Sequence, residues 1–148
     1  MKTIIVGLGN PILGDDGVGW KVVEEVSQHL PKDISLGIEC LSVGGLALME
    51  HLIGYDRAII IDSFIADAED MGSILIRTLN ELPNYSGFHV TSAHDTSLQT
   101  AIQLGREMGA YLPVEVLILG VAIQRISEFS ETLSPPVAET VLPAAHIA

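Results

Sequence analysis

Gly7-Leu8-Gly9-Asn10-Pro11-Ile12-Leu13-Gly14-Asp15-Asp16-Gly17-Val18-Gly19 is the stretch on which the reading of this chain turns. It follows a short apolar run, Thr3 to Leu8, and precedes Val18, Val22, Val23, Val26 and Leu30 at helical spacing. A strand therefore feeds a glycine-rich turn, and the turn feeds a helix that Pro31 stops. That is the opening unit of an α/β layered domain, with two carboxylates on its turn.

The same alternation continues along the chain. A second strand spans about Ser35 to Val43 and ends at Gly44-Gly45. A short helix, Leu46 to Ile53, is expected to bury Leu46, Met49 and Ile53. The third strand, Arg57 to Asp62, carries three consecutive isoleucines, which suggests burial on both faces. Ser63 to Gly72 is too short and polar for a helical crossover, since a parallel return takes a dozen or more residues. The fourth strand, about Ser73 to Thr78, is therefore expected to run antiparallel. A long loop through Pro83 and Asn84 reaches Ser92-Ala93-His94-Asp95, a capping-box form with Asp95 in the usual Glu position. The helix it opens presents Leu98, Ala101, Ile102, Gly105 and Met108. A fifth strand covers Val114 to Val121, and Ser134-Pro135-Pro136 starts the last helix. The expected fold is a single-domain three-layer α/β/α sandwich over residues 1–148, with a five-stranded, mostly parallel, twisted sheet and strand 4 antiparallel.

Composition narrows the function. The 148 residues are 48% hydrophobic, ample for one core. No apolar run approaches the roughly 20 residues of a membrane span, and Met1 to Gly7 reads as a strand and not a signal peptide, so the expected location is the cytoplasm. One cysteine, Cys40, excludes an internal disulfide and a cysteine zinc cluster. Its strand-like context suggests a buried thiol and not a nucleophile. Seven Lys+Arg against 19 Asp+Glu give a formal charge of -12. Such a surface repels phosphate backbones, so neither nucleic acid nor membrane is an expected partner.

The turn also excludes chemistries. A dinucleotide-binding G-x-G-x-x-G needs Gly or Ala at position 12, which is Ile12 here. Asp15 and Asp16 would stand where a pyrophosphate should sit, and Glu39 lies mid-strand, not at a strand end where a ribose is held. Gly-Leu-Gly-Asn-Pro also opens the peptidyl-tRNA hydrolases, an alternative reading. Those continue into a basic segment, whereas this chain continues into Gly14-Asp15-Asp16-Gly17. The charge has the wrong sign for tRNA.

The turn closely resembles the entrance motif of the hydrogenase maturation proteases: Gly-x-Gly-Asn, four residues, Asp-Asp or Asp-Glu, then small residues. The resemblance continues, in order, through Gly44-Gly45, Ile60-Ile61-Asp62, His94, Leu119-Gly120-Val121 and Ser134-Pro135-Pro136. It departs at Leu41-Ser42-Val43, where several members carry an Asp before the glycine pair. The resemblance implies a nickel-dependent endopeptidase that trims the C-terminal extension of the [NiFe]-hydrogenase large-subunit precursor, cutting after a basic residue. It also implies that the nickel is borne by the substrate, with zinc or cadmium able to substitute. Asp16, Asp62 and His94 are then both the metal-binding and the catalytic residues, and the free enzyme is a monomer. The long loop from Glu81 to Thr91 is expected to touch substrate.

General chemistry leads to the same trio. Ligands in open α/β sheets bind beyond the carboxyl ends of the strands, where the strand order reverses. If strands 1 and 3 are neighbours, Asp16 and Asp62 share one crevice. His94 in a first helical turn would favour the neutral, ligating imidazole. Two carboxylates and one imidazole suit Ni²⁺, Zn²⁺ or Cd²⁺ and leave coordination positions open. Plainer readings stand beside these. Asp15 is a local cap or an acceptor for the surrounding loop, and Asp62 caps the loop after strand 3 unless it is buried. His94 is a surface residue with His89 as its competitor, and His29, His51 and His146 are structural or solvated. The rival function is a non-catalytic nickel-binding chaperone that uses the same ligands. Within the peptidase reading, either the metal polarises the carbonyl or activates water, or a carboxylate is the general base.

Overall fold

The computed structural model describes residues 2–10, 14–29, 36–82, 85, 97–123, 133–141 and 143–144. Strand β1 (Thr3–Leu8) leads through a 3-10 turn, Gly14–Gly17, into α1 (Val18–Gln28). Then follow β2 (Leu36–Leu41), α2 (Gly45–Leu52), β3 (Arg57–Ile65), β4 (Ile74–Thr78), α3 (Leu98–Glu107), β5 (Glu115–Ile123) and the short α4 (Pro135–Ala138). One sheet has the order β2-β1-β3-β5-β4, and only β4 runs antiparallel, against β5.

Strand alternation divides the core into two layers. Ile4, Val6, Leu8, Ile60 and Ile118 face α2 and α3, packing with Leu48, Leu52, Leu98 and Ala101. Ile5, Ile61, Leu119, Val121 and Ile123 face the other way, onto Val18, Val22, Val23 and Val26 of α1 and Val137 of α4. The β3 isoleucines thus serve both layers, as the both-face reading requires. No helix among the described residues is long and apolar enough to cross a membrane.

The short helix buries a different face from the expected one. Gly45, Leu48, Met49 and Leu52 point inward, while Leu46 and Ile53 are exposed. In a segment apolar nearly all round, periodicity does not choose between adjacent faces. Met108 is likewise 80% exposed, because α3 ends at Glu107 and Leu112 reaches back to cover Gly105. The helix is capped by Ser97, whose side chain accepts from the Thr100 N–H. The box expected at Ser92 to Asp95 lies outside the described residues, as do Leu30, Pro31, His89 and His146. Two strands run further than expected: β3 continues past Asp62 to Ile65, opposite Ile123 at the end of β5.

Three glycines of the entrance stretch are explained by close approach. A Cβ on Gly7 would lie 2.6 Å from the Gly19 carbonyl oxygen, and one on Gly19 would lie 2.5 Å from the carbonyl oxygens of Leu8 and Ile61. The start of α1 therefore rests directly on β1 and β3. Gly9 has φ +145°, and a Cβ there would be 2.0 Å from the Asp16 carbonyl oxygen. The loop folds back on itself, and Asp16 is carried over the end of β1.

Candidate active site

The strand order reverses between β1 and β3: from β1 the chain goes to β2 on one side, and β3 lies on the other. Their pairing ends at Gly7 opposite Ile61. Contrary to the expectation, Asp62 does not terminate its strand, which continues to Ile65. It sits on β3 where the neighbouring β1 has stopped. Asp62 has no exposed surface, and Asp16, on the loop crossing above, is half-buried.

Both carboxylates are held by defined donors. Asp62 Oδ1 accepts the Ser63 N–H at 2.9 Å, and its Oδ2 accepts the Tyr85 hydroxyl at 3.1 Å. Asp16 Oδ2 accepts the Asn10 N–H at 2.9 Å, and its Oδ1 accepts the Ser63 hydroxyl at 2.8 Å. Ser63 thus touches both acids. Adjacent strand residues point to opposite faces, so Asp62 lies on the side of Ile60 and Tyr85 while the Ser63 side chain reaches the side of α1. Neither Ser63 nor Tyr85 was singled out from the sequence. A serine within a strand and a tyrosine within a loop carry no spacing signal, and their partners lie 47 and 23 positions away.

Asp15 is an acceptor and not a local cap, because its partner is far away in the chain. It is buried and accepts both the backbone N–H and the hydroxyl of Ser134, at 2.6 and 2.7 Å, tying the entrance loop to the start of α4. The β2 end is stitched on as well: the Ser42 hydroxyl donates to the Gly9 carbonyl at 2.5 Å, and the Gly9 N–H donates to Leu41 at 3.1 Å. Ser42, two residues before the glycine pair at the point of departure from the family pattern, therefore serves the loop's placement. His94 lies outside the described residues, and the first turn of α3 belongs to Leu98 onward, so the dipole argument made for His94 does not attach to that helix. His29 and His51 are exposed and pair with Glu25 and Glu39. Cys40 is half-buried, and burial, then the nearby Glu24 charge, push its thiol pKa up, away from reactivity.

Tyr85 gives a test of this arrangement. Burial, then the charge of Asp62 and the bond to it, raise its phenol pKa well above the usual value. It stays a donor at any working pH. Tyr85→Phe is expected to cost about 1.5–3 kcal/mol in urea unfolding at neutral pH, the range for a hydrogen bond to a charged group. A raised folded-state pKa contributes stability that is present below the unfolded value, about 10, and lost as pH climbs above it. The gap between wild type and variant should therefore narrow above about pH 10. A gap that stays constant from pH 8 to 11 would contradict the assignment.

Comparison with known proteins agrees with this architecture. The family model for hydrogenase maturation protease, HycI, matches residues 41–148. The hydrogenase expression/formation protein HoxM of Azotobacter vinelandii is 28% identical over 145 residues, covering 98% of this chain and 69% of its own. The hydrogenase 2 maturation protease of Escherichia coli is 24% identical over 144 residues, 97% of this chain and 86% of its own. In structure, the hydrogenase maturating endopeptidase HybD from Escherichia coli superimposes with a TM-score of 0.72 at 23% identity, over 99% of this chain and 89% of that one. That likeness carries the fold, and the match across 41–148 carries the family. This chain belongs to the hydrogenase maturation proteases and is a peptidase.

Proposed function

We propose that this peptidase removes the C-terminal extension of the nickel-loaded [NiFe]-hydrogenase large-subunit precursor, and that it recognises the nickel itself through Asp16, Asp62 and His94. The observation that carries the reading is the meeting of Asp16 and Asp62 on one residue, Ser63, at the strand-order reversal. The buried Asp62 carboxylate is held by hydrogen bonds, and a substrate-borne divalent cation is a hard partner for carboxylate oxygens. Two carboxylate oxygens with one imidazole nitrogen form a set that accepts Ni²⁺, and the remaining positions stay with the substrate. Precursor without metal then lacks the contact that distinguishes it, so cutting follows completed nickel insertion.

The chemistry is hydrolysis of one peptide bond. Water adds to the scissile carbonyl, its proton leaves to a base, and the amine departs with a proton. Asp62 has no exposed surface, whereas Asp16 is only half-buried. Asp16 is therefore the carboxylate suited to take the proton, while the nickel polarises the carbonyl.

The test compares nickel-loaded and nickel-free precursor, with product mass as the readout. Wild-type enzyme should shorten only the loaded form, and His94→Ala should fall at least about a hundredfold behind, beyond the 10–100-fold typical for loss of a residue that only supports a ligand. Equal cleavage of both precursors would overturn nickel recognition. An intact precursor retained in a complex would instead favour a binding module.

A further inference from the structure

We propose that Ser63 is a positioning residue that sets the separation of the two acidic ligands by referring both to a single strand position. The inference rests on the metal-binding role proposed for Asp16 and Asp62. Ser63 is itself only 3% exposed and is registered opposite Val121 of β5. The pairing of β1 with β3 ends at Ile61, so Ser63 has no β1 residue opposite. Its N–H turns instead to Asp62 Oδ1 at 2.9 Å, and its hydroxyl donates to Asp16 Oδ1 at 2.8 Å.

The two acids need such a reference for different reasons. Asp62 belongs to a rigid central strand. Asp16 belongs to a 3-10 turn, and among the described residues the other donor to its carboxylate is the backbone of Asn10 in the same loop. The Ser63 hydroxyl is therefore the bond described between the Asp16 carboxylate and the sheet. Gripping one cation with two carboxylates demands a fixed spacing between them, and groups that orient ligands from behind typically carry a 10–100-fold share of metal affinity or activity. Ser63→Ala keeps the backbone donor to Asp62 and removes only the donor to Asp16, so it separates the two halves of the bracket.

The experiment measures kcat and KM on nickel-loaded precursor for wild type, Ser63→Ala, Ser63→Thr and Asp16→Asn, with melting temperatures alongside. Ser63→Ala should raise KM roughly 10- to 100-fold, because the grip on the cation is weakened already in the ground state, and kcat should fall as well, because Asp16 is also the proposed base. Ser63→Thr retains the hydroxyl and should return KM to within about threefold of wild type. Should the added methyl prevent folding, Ser63→Cys, nearly the same size and a weaker donor, should fall between wild type and alanine. A lower kcat at unchanged KM would mean fewer folded molecules, or a displaced base with the cation grip intact, and would overturn the proposal. So would a wild-type KM for Ser63→Ala beside an inactive Asp16→Asn. If Asp16→Asn also processes normally, the failure belongs to the proposed ligand set and takes this inference with it.

Discussion

Asp62→Asn is expected to cut processing of nickel-loaded precursor by at least about a hundredfold while changing the unfolding free energy by only about 1 kcal/mol. The separation of the two effects follows from the hydrogen bonds. The asparagine carbonyl oxygen still accepts the Ser63 N–H, and its amide can donate to the Tyr85 oxygen, which reverses roles. What vanishes is the negative charge, and with it the attraction for a cation. Asp62→Ala provides the contrast. It leaves the buried Ser63 N–H and the Tyr85 hydroxyl without this acceptor, at about 1–3 kcal/mol for each. Product mass and urea midpoints together check the prediction. An asparagine variant that processes at the wild-type rate would show that the carboxylate is only a structural acceptor.

The second large effect concerns the backbone. Gly9→Ala would place a Cβ 2.0 Å from the Asp16 carbonyl oxygen, at a φ of +145° that strains any L side chain. Neither contact partner is a flexible side-chain end, so the loop itself must move. Overpacking and strain together should cost about 3 kcal/mol or more, seen as a fall in melting temperature of roughly 10 °C for a chain this size. Asp16 moves with its backbone, so processing should fall even at temperatures where the variant remains folded. A melting point within about 2 °C of wild type would show that the close approach of Gly9 and Asp16 is not maintained in solution.

Much of this was legible beforehand because the entrance stretch combines two independent signals. Its glycines mark a turn, and its apolar flanks change from the strand of Thr3–Leu8 to helical spacing; the close backbone approach at Gly7, Gly9 and Gly19 is seen only in the fold. The polar shortness of Ser63 to Gly72 correctly forced β4 to run antiparallel. That Asp16 and Asp62 each bond to Ser63 accords with the neighbourhood of β1 and β3. What escaped were features that depend on tertiary partners. Leu46 and Leu48 are equally apolar, and only packing against the sheet and α3 determines that Leu48 is buried. Asp62 looked like a strand end because the isoleucine run stops there, yet β5 supports β3 as far as Ile65. Ser63 and Tyr85 become meaningful only once the chain has folded them against acids distant in sequence.

The proposed function requires that Asp16, Asp62 and His94 close around one metal ion above the reversal of the sheet. A crystal structure of the protein with Ni²⁺ or Cd²⁺, the ion located by its anomalous scattering, tests it most directly. One cation held by carboxylate oxygens of Asp16 and Asp62 and a ring nitrogen of His94 is the expected result. A cation bound elsewhere, with the His94 ring turned away from both aspartates, would contradict it.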